Sequence, residues 1–154
     1  MEKERDKETR LLRELQMKCT TSNIVLSERL GVETSTVSRW KDKIEQAGKI
    51  KSYKAVLDPE QFGYNTLAFV RVKLLHNNEP RRIQETAEFI SKLPGVQEVH
   101  ISLGEFDLLI KVRTRTEKEL KLLILDSLSP DHNVSKTETI VTASTFIETT
   151  DIPI

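Results

Sequence analysis

Apolar residues recur along this chain in two different periods. Up to about residue 50 they fall three and four apart. Leu11, Leu12 and Leu15 mark a helical stripe over roughly Asp6–Lys18. A shorter stripe runs from Val25 to Leu30, breaks at Gly31-Val32-Glu33-Thr34, and resumes from Ser35 to Ala47 before Gly48. Val37, Trp40 and Ile44 share one face of that last segment and predict core packing. Two short helices joined at a glycine, with a third to cover them, predict a helix-turn-helix domain. Ile50–Leu57 then reads as extended, and Asp58–Gly63 as a turn.

Beyond residue 65 the period switches to two and back again. Thr66–Leu75 alternates, with Ala68, Val70, Val72 and Leu74 on one face, and so predicts a strand. Arg81–Leu93 carries Ile83, Ala87 and Ile90 in helical register. Val96–Leu103 and Asp107–Arg113 read as strands about a tight Gly104-Glu105 link. Thr116–Leu128 is a leucine-rich helix, and Lys136–Ile147 a final β-rich stretch. Gly31, Gly48, Pro59, Gly63, Pro80, Pro94-Gly95, Gly104 and Pro130 punctuate these segments. The expected fold class is α+β. A winged-type helix-turn-helix domain occupies 1–50, an extended linker 51–64, and a ferredoxin-like βαββαβ unit 65–154. The opposite face of its first strand carries Leu67 and Phe69, too apolar to leave wet, which predicts cover by a second copy.

Composition changes this picture at few points. The chain is 37% apolar and 31% charged, as in a soluble globular protein. It has no apolar run near the ~20 residues that span a bilayer. A charged MEKERDKETR start argues against a secretory signal. The single cysteine, Cys19, excludes an internal disulfide framework and fits a reducing cytoplasm. Net charge is zero, yet Ser35–Lys54 holds six basic residues against two acidic, a local +4 suited to phosphates.

The third helical segment concentrates the polar chemistry. Thr34, Ser35, Thr36, Ser38, Arg39 and Lys43 are short hydroxyls and cations of the kind that meet phosphates and base edges. The plainer alternative is a solvated helix face. Lys49, Lys51 and Lys54 follow, where flanking backbone contact is expected. Gly104-Glu105-Phe106-Asp107 is a hairpin link whose amides and carboxylate can also hold the two ends of a zwitterion. His76, His100 and His132 lie too far apart to spell a metal site, and no nucleophile–base pattern or phosphate loop occurs.

An ordered set of fragments carries a resemblance. LLRELQ (11–16), SNIVLSERLGV (22–32), STVSRW (35–40), KIEQAGKI (43–50), LDPEQFGY (57–64) and LPGVQEVHISLGEFDLLIKV (93–112) together resemble the Lrp/AsnC family of feast/famine transcriptional regulators. The resemblance implies a non-enzymatic regulator of double-stranded DNA, reading two-fold symmetric operators as a homodimer or higher homo-oligomer up to octamers. It implies no cofactor but a small effector, usually an amino acid, bound between dimers near the G-x-[FY]-D loop. On that basis Gly104 and Asp107, with Thr137 and Thr139 from the last strand, are the expected effector residues. Glu33 stands where the family usually has a serine N-cap, which shifts the expected capping to Thr34 or Ser35. Alternatives on the same scaffold are a sirohaem-decarboxylase-like enzyme and an architectural chromatin protein of low specificity.

Overall fold

The structure is a computed structural model that describes residues 2–76, 79–128 and 132–154. The expected break at Pro130 lies outside the described residues. Contacts divide the chain into two units: residues 1–56 with 147–154, and residues 57–146.

In the first unit α1 (Glu2–Met17), α2 (Asn23–Leu30) and α3 (Thr34–Gln46) enclose a core of Leu11, Leu15, Leu26, Leu30, Val37 and Ile44. Trp40 packs against that core, as its place on the Val37–Ile44 stripe predicts. Ser22 caps α2 by accepting from the Val25 amide at 3.3 Å. Gly31 then turns the chain with φ 65°. Val32 N–H donates back to Ser27 C=O at 3.1 Å and Gly31 N–H to Glu28 C=O at 3.3 Å, which satisfies the last carbonyls of the helix. The same pair of bonds closes α3, from Lys49 to Ile44 and from Gly48 to Glu45. Capping of α3 differs from expectation. Glu33 occupies the N-cap position itself, in extended backbone and without a side-chain bond to a helix amide, and Thr34 is already helical. Neither Thr34 nor Ser35 takes over, because the Thr34 hydroxyl is turned to Ser27 Oγ at 3.2 Å.

Ile50–Leu57 forms no strand, and among the described residues this unit holds helices only, so the expected wing is not built within it. Tyr53 ties the segment to α3 by donating to Glu45 at 2.8 Å. Partial desolvation of this otherwise exposed phenol, reinforced by that carboxylate, pushes it up to about 12 and keeps the donor protonated. The last residues also depart from the expected 65–154 boundary. The Gln16 side-chain amide pairs with the Ile152 backbone at both ends, donating at 3.0 Å and accepting at 3.1 Å, which fixes the tail on α1.

The second unit is a four-stranded antiparallel sheet of β1 (Thr66–Leu74), β2 (Val96–Ile101), β3 (Leu108–Thr114) and β4 (Val134–Val141), in the order β2-β3-β1-β4. Helices α4 (Pro80–Ser91) and α5 (Glu117–Ser127) cover one face. This is the ferredoxin-like arrangement. Ala68, Val70, Val72 and Leu74 pack there with Leu108, Ile110 and Val112 and with Ile90 and Leu120 from the helices. Burying each such valine or isoleucine is worth about 2 kcal/mol. The final strand ends at Val141, short of Ile147, although Thr142 N–H still donates to Leu67 C=O.

Register assigns the opposite face. Leu67 pairs with Arg113, Phe69 with Lys111 and Ile140, Arg71 with Leu109 and Glu138, and Glu98 with Lys111. It carries Leu67, Phe69, Leu109 and Ile140 among charged neighbours. Glu98 meets His100 Nε2 at 3.0 Å and Lys111 Nζ at 3.2 Å. The bond to His100, more than the one from Lys111, holds the Glu98 carboxyl below its ordinary value against the opposing effect of partial burial. Any stability this pairing contributes is present above the ordinary carboxylate range and is lost only as pH falls through the depressed value, far from neutrality.

Candidate functional site

Two places gather the residues singled out by sequence. The first is the solvent side of α3. At 3.6 residues per turn, Ser35, Arg39, Asp42 and Gln46 lie opposite the buried Val37–Ile44 line. Thr34 and Ser38 flank them on one side, Thr36 and Lys43 on the other. Ser35, Ser38, Arg39 and Lys43 are exposed, while Thr36 is half-buried. Arg39 has no hydrogen bond or ion pair with another described residue, so its five donors face outward. Thr34 is less available, since its hydroxyl positions the turn through Ser27. Lys41 reaches Asn23 at 3.4 Å and braces α3 against α2.

Sequence reading missed Gln46 on this line, an exposed amide able to pair with a base edge. It also missed the cost of Asp42, whose carboxylate limits how much of the outward line can face phosphates. Helical spacing from Arg39 contains both signals. The flanking lysines split. Lys49 is spent on Glu8 at 2.6 Å, whereas Lys51 and Lys54 are exposed on the extended segment.

The second place is the link between β2 and β3. It spans Ser102–Asp107 and is longer than the tight Gly104-Glu105 turn expected. Ser102 closes it, with its amide donating to Asp107 C=O at 2.9 Å and its hydroxyl to Phe106 C=O at 2.7 Å. Gly104 is exposed at the tip with φ 150°. Phe106 is buried, with the Arg71 guanidinium 4.6 Å and the Lys136 ammonium 5.5 Å from its ring centroid. Asp107 Oδ2 accepts from the Leu74 amide at 2.8 Å, and Oδ1 lies 3.4 Å from Lys73 Nζ. The carboxylate therefore locks the hairpin to the end of β1.

Thr137 and Thr139 do not join this loop within one protomer. They pair with Val72 and Val70 on the far side of β1, about 10 Å and about 14 Å from Asp107 by two interstrand spacings and their offsets along the strand. That register also sets both threonines on the helix-covered side of the edge strand. No helix among the described residues is long and apolar enough to cross a membrane.

Comparison with known proteins bears on both places. Residues 67–152 match the profile of the Lrp/AsnC ligand binding domain. The chain is 33% identical over 129 residues to the HTH-type transcriptional regulator FL11 of Pyrococcus horikoshii, covering 84% of this chain and 82% of that one. It is 31% identical over 145 residues to the transcriptional regulator AzlB of Bacillus subtilis, covering 94% and 91%. Among solved structures, a transcriptional regulator from Neisseria meningitidis in complex with L-Met superposes with a TM-score of 0.88 at 26% identity, over 96% of this chain and 94% of that one. AsnC of E. coli shares the fold at 22% identity and a TM-score of 0.86, over 96% and 97%.

Proposed function

Because this chain belongs to the Lrp/AsnC family of transcriptional regulators, we propose that it regulates transcription by reading double-stranded DNA through α3, under control of a small effector. Its relatives are named as regulators rather than enzymes, which leaves the decarboxylase alternative without support. The observation that carries the reading is the outward line of α3, where Arg39 has no partner among the described residues and stands among exposed hydroxyls while Val37, Trp40 and Ile44 hold the helix from behind. Arg39 contacts a guanine or a phosphate, Ser35, Thr36 and Ser38 contact phosphates or base edges, and Lys43 a flanking phosphate. Thr34 acts through the turn. Arg39→Ala is expected to weaken operator binding about 10–100-fold in gel shifts, as for loss of one good base contact. Its melting temperature stays within the small range of exposed substitutions. Unchanged affinity would remove Arg39 from the interface.

The working form in this reading is a homodimer closed through the open sheet face, assembling further in the cytoplasm. The dimer reads a two-fold symmetric operator. An amino acid acts as effector, in keeping with the L-Met complex of the Neisseria relative. It binds at the Gly104–Asp107 loop, with Thr137 and Thr139 contributed from a neighbouring copy, since their own lie across β1. Such a ligand shifts assembly only if it binds one assembly better than another. The two roles of Asp107 separate by substitution. Asp107→Asn keeps an oxygen for the Leu74 amide and removes the charge that meets an ammonium, so the amino-acid response in gel shifts is lost and folding is retained. Asp107→Ala also leaves that amide unpaired and lowers stability by about 1–3 kcal/mol in urea titrations. An Asn variant responding to L-methionine with wild-type affinity contradicts the assignment.

A further inference from the structure

A cleft of about 280 Å³ that neither α3 nor the hairpin accounts for lies where β1, α4 and the start of β4 meet. Asn133 builds it. This is the only non-glycine residue with positive φ among those described, at 65°, a conformation that asparagine tolerates better than most side chains. Its backbone C=O accepts from the Leu75 amide at 2.9 Å and its Oδ1 from the His76 amide at 2.9 Å. Its Nδ2 donates to the buried Thr86 hydroxyl at 3.3 Å. One residue in a constrained backbone thus clips the end of β1 to α4 and leaves an open space beside the clip.

The walls of that space differ in character. One is aromatic: Phe89 and His132 stack with ring centroids 4.3 Å apart and planes within 8°. Leu75 adds an aliphatic side. The other wall carries Arg82 and Glu85, three apart on one face of α4 and opposite in charge. Arg82 meets Glu79 at 3.1 Å and Glu85 meets Arg81 at 2.9 Å. Both are exposed pairs within a helix, a class weak enough to exchange for a ligand at little cost.

We propose that this cleft is a second amino-acid site, separate from the Gly104–Asp107 loop. It takes a free L-amino acid with an aromatic or branched apolar side chain. Arg82 receives the α-carboxylate and Glu85 the α-ammonium, while the side chain lies against Phe89, His132 and Leu75. A simple anion would face Glu85 and a simple cation Arg82, so the pair selects a zwitterion. The volume lies just under the usual range for small-molecule sites and fits a single metabolite. The inference rests on the amino-acid reading of the chain given above.

Equilibrium dialysis of the full-length protein against radiolabelled L-phenylalanine tests it. The wild type is expected to bind, and Arg82→Ala and Glu85→Ala each weaken binding about tenfold, as for loss of one charge-assisted hydrogen bond. Phenethylamine, which lacks the carboxylate, should compete poorly on the wild type and no worse on Arg82→Ala, because the guanidinium that opposes a simple cation is then gone. Asp107→Asn should leave this binding in place. Binding lost in Asp107→Asn but untouched in both α4 variants would overturn the cleft and leave the hairpin site standing. Failure of L-phenylalanine and L-leucine to bind the wild type overturns the cleft, and if L-methionine fails as well the amino-acid reading falls with it.

Discussion

Gly95→Ala is expected to destabilise the C-terminal unit by about 3 kcal/mol, roughly twice the cost of an alanine at an open positive-φ turn. Gly95 stands between α4 and β2 with φ 81°, where an L side chain costs about 1–2 kcal/mol from local sterics alone. Space decides the rest. A Cβ there would lie 2.5 Å from the Arg113 carbonyl oxygen and 3.6 Å from Thr114 Cγ2. That oxygen belongs to β3 and cannot swing aside as a side chain would. The backbones are held together, since Arg113 N–H donates to Gly95 C=O at 2.8 Å. Relief therefore requires prising the turn off the sheet and loses that bond, worth about 1 kcal/mol. Gly31 is the control, with φ 65° and nothing within 4 Å of its would-be Cβ. Gly31→Ala should show the conformational cost only. Urea unfolding of the two variants checks the difference, and equal losses of stability would mean that the turn relaxes freely.

The same glycine shows what was legible in the chain beforehand. Pro94-Gly95 marks a turn by composition and the hairpin link makes the two strands neighbours, but closeness to Arg113 depends on their register, which shifts between Val96 and Glu98. Element types followed the periods throughout, because each element buries one face and the burial repeats at 3.6 or 2. Boundaries slipped where a side chain or backbone group outside the period intervened. The tail past Ile147 has no period of its own, and its backbone bonds at Ile152 are taken by the amide of Gln16, far away in sequence. The β2–β3 link looked tight because Gly104-Glu105 alone favours a turn. Phe106 is drawn into burial beneath Arg71, and Ser102 closes a wider loop around it.

For the sites, legibility tracked how local the geometry is. The outward line of α3 follows from helical spacing, and Trp40 sits on the core stripe that its position foretold. The bond of the Thr34 hydroxyl to Ser27 was not legible, since that partner lies on another helix. Asp107 was legible as a polar group in a turn. Its bond to Leu74 was not, since that amide lies across the sheet. The cleft beside Asn133 gave no signal at all. Its walls come from three separate stretches of chain, and their meeting is a property of the fold.

The largest functional effect is expected from Phe69→Asp. Phe69 is half-buried on the open face, directly opposite Lys111 on one side and Ile140 on the other. Leu109 and the exposed Ile140 continue the apolar patch up to Leu67, which is already buried, and Arg71 Nε is buried there without an acceptor among the described residues. A buried donor and an apolar strip on one surface call for a complementary surface. In the proposed two-fold dimer the patch meets itself, so one substitution enters the interface twice. Within a single protomer the introduced carboxylate is tolerable, since Lys111 lies beside it and water reaches the face. Between two protomers it is not, because two desolvated carboxylates oppose each other's burial. Light scattering should therefore report a monomer, with the helical and sheet content of the wild type. Losing the second recognition helix removes the gain from binding two half-sites at once, on the order of 10²–10⁴-fold, so gel-shift affinity should fall by at least about a hundredfold. A Phe69→Asp protein that remains dimeric and holds its operator would show that the copies meet elsewhere, and that the open face is covered by something other than its twin.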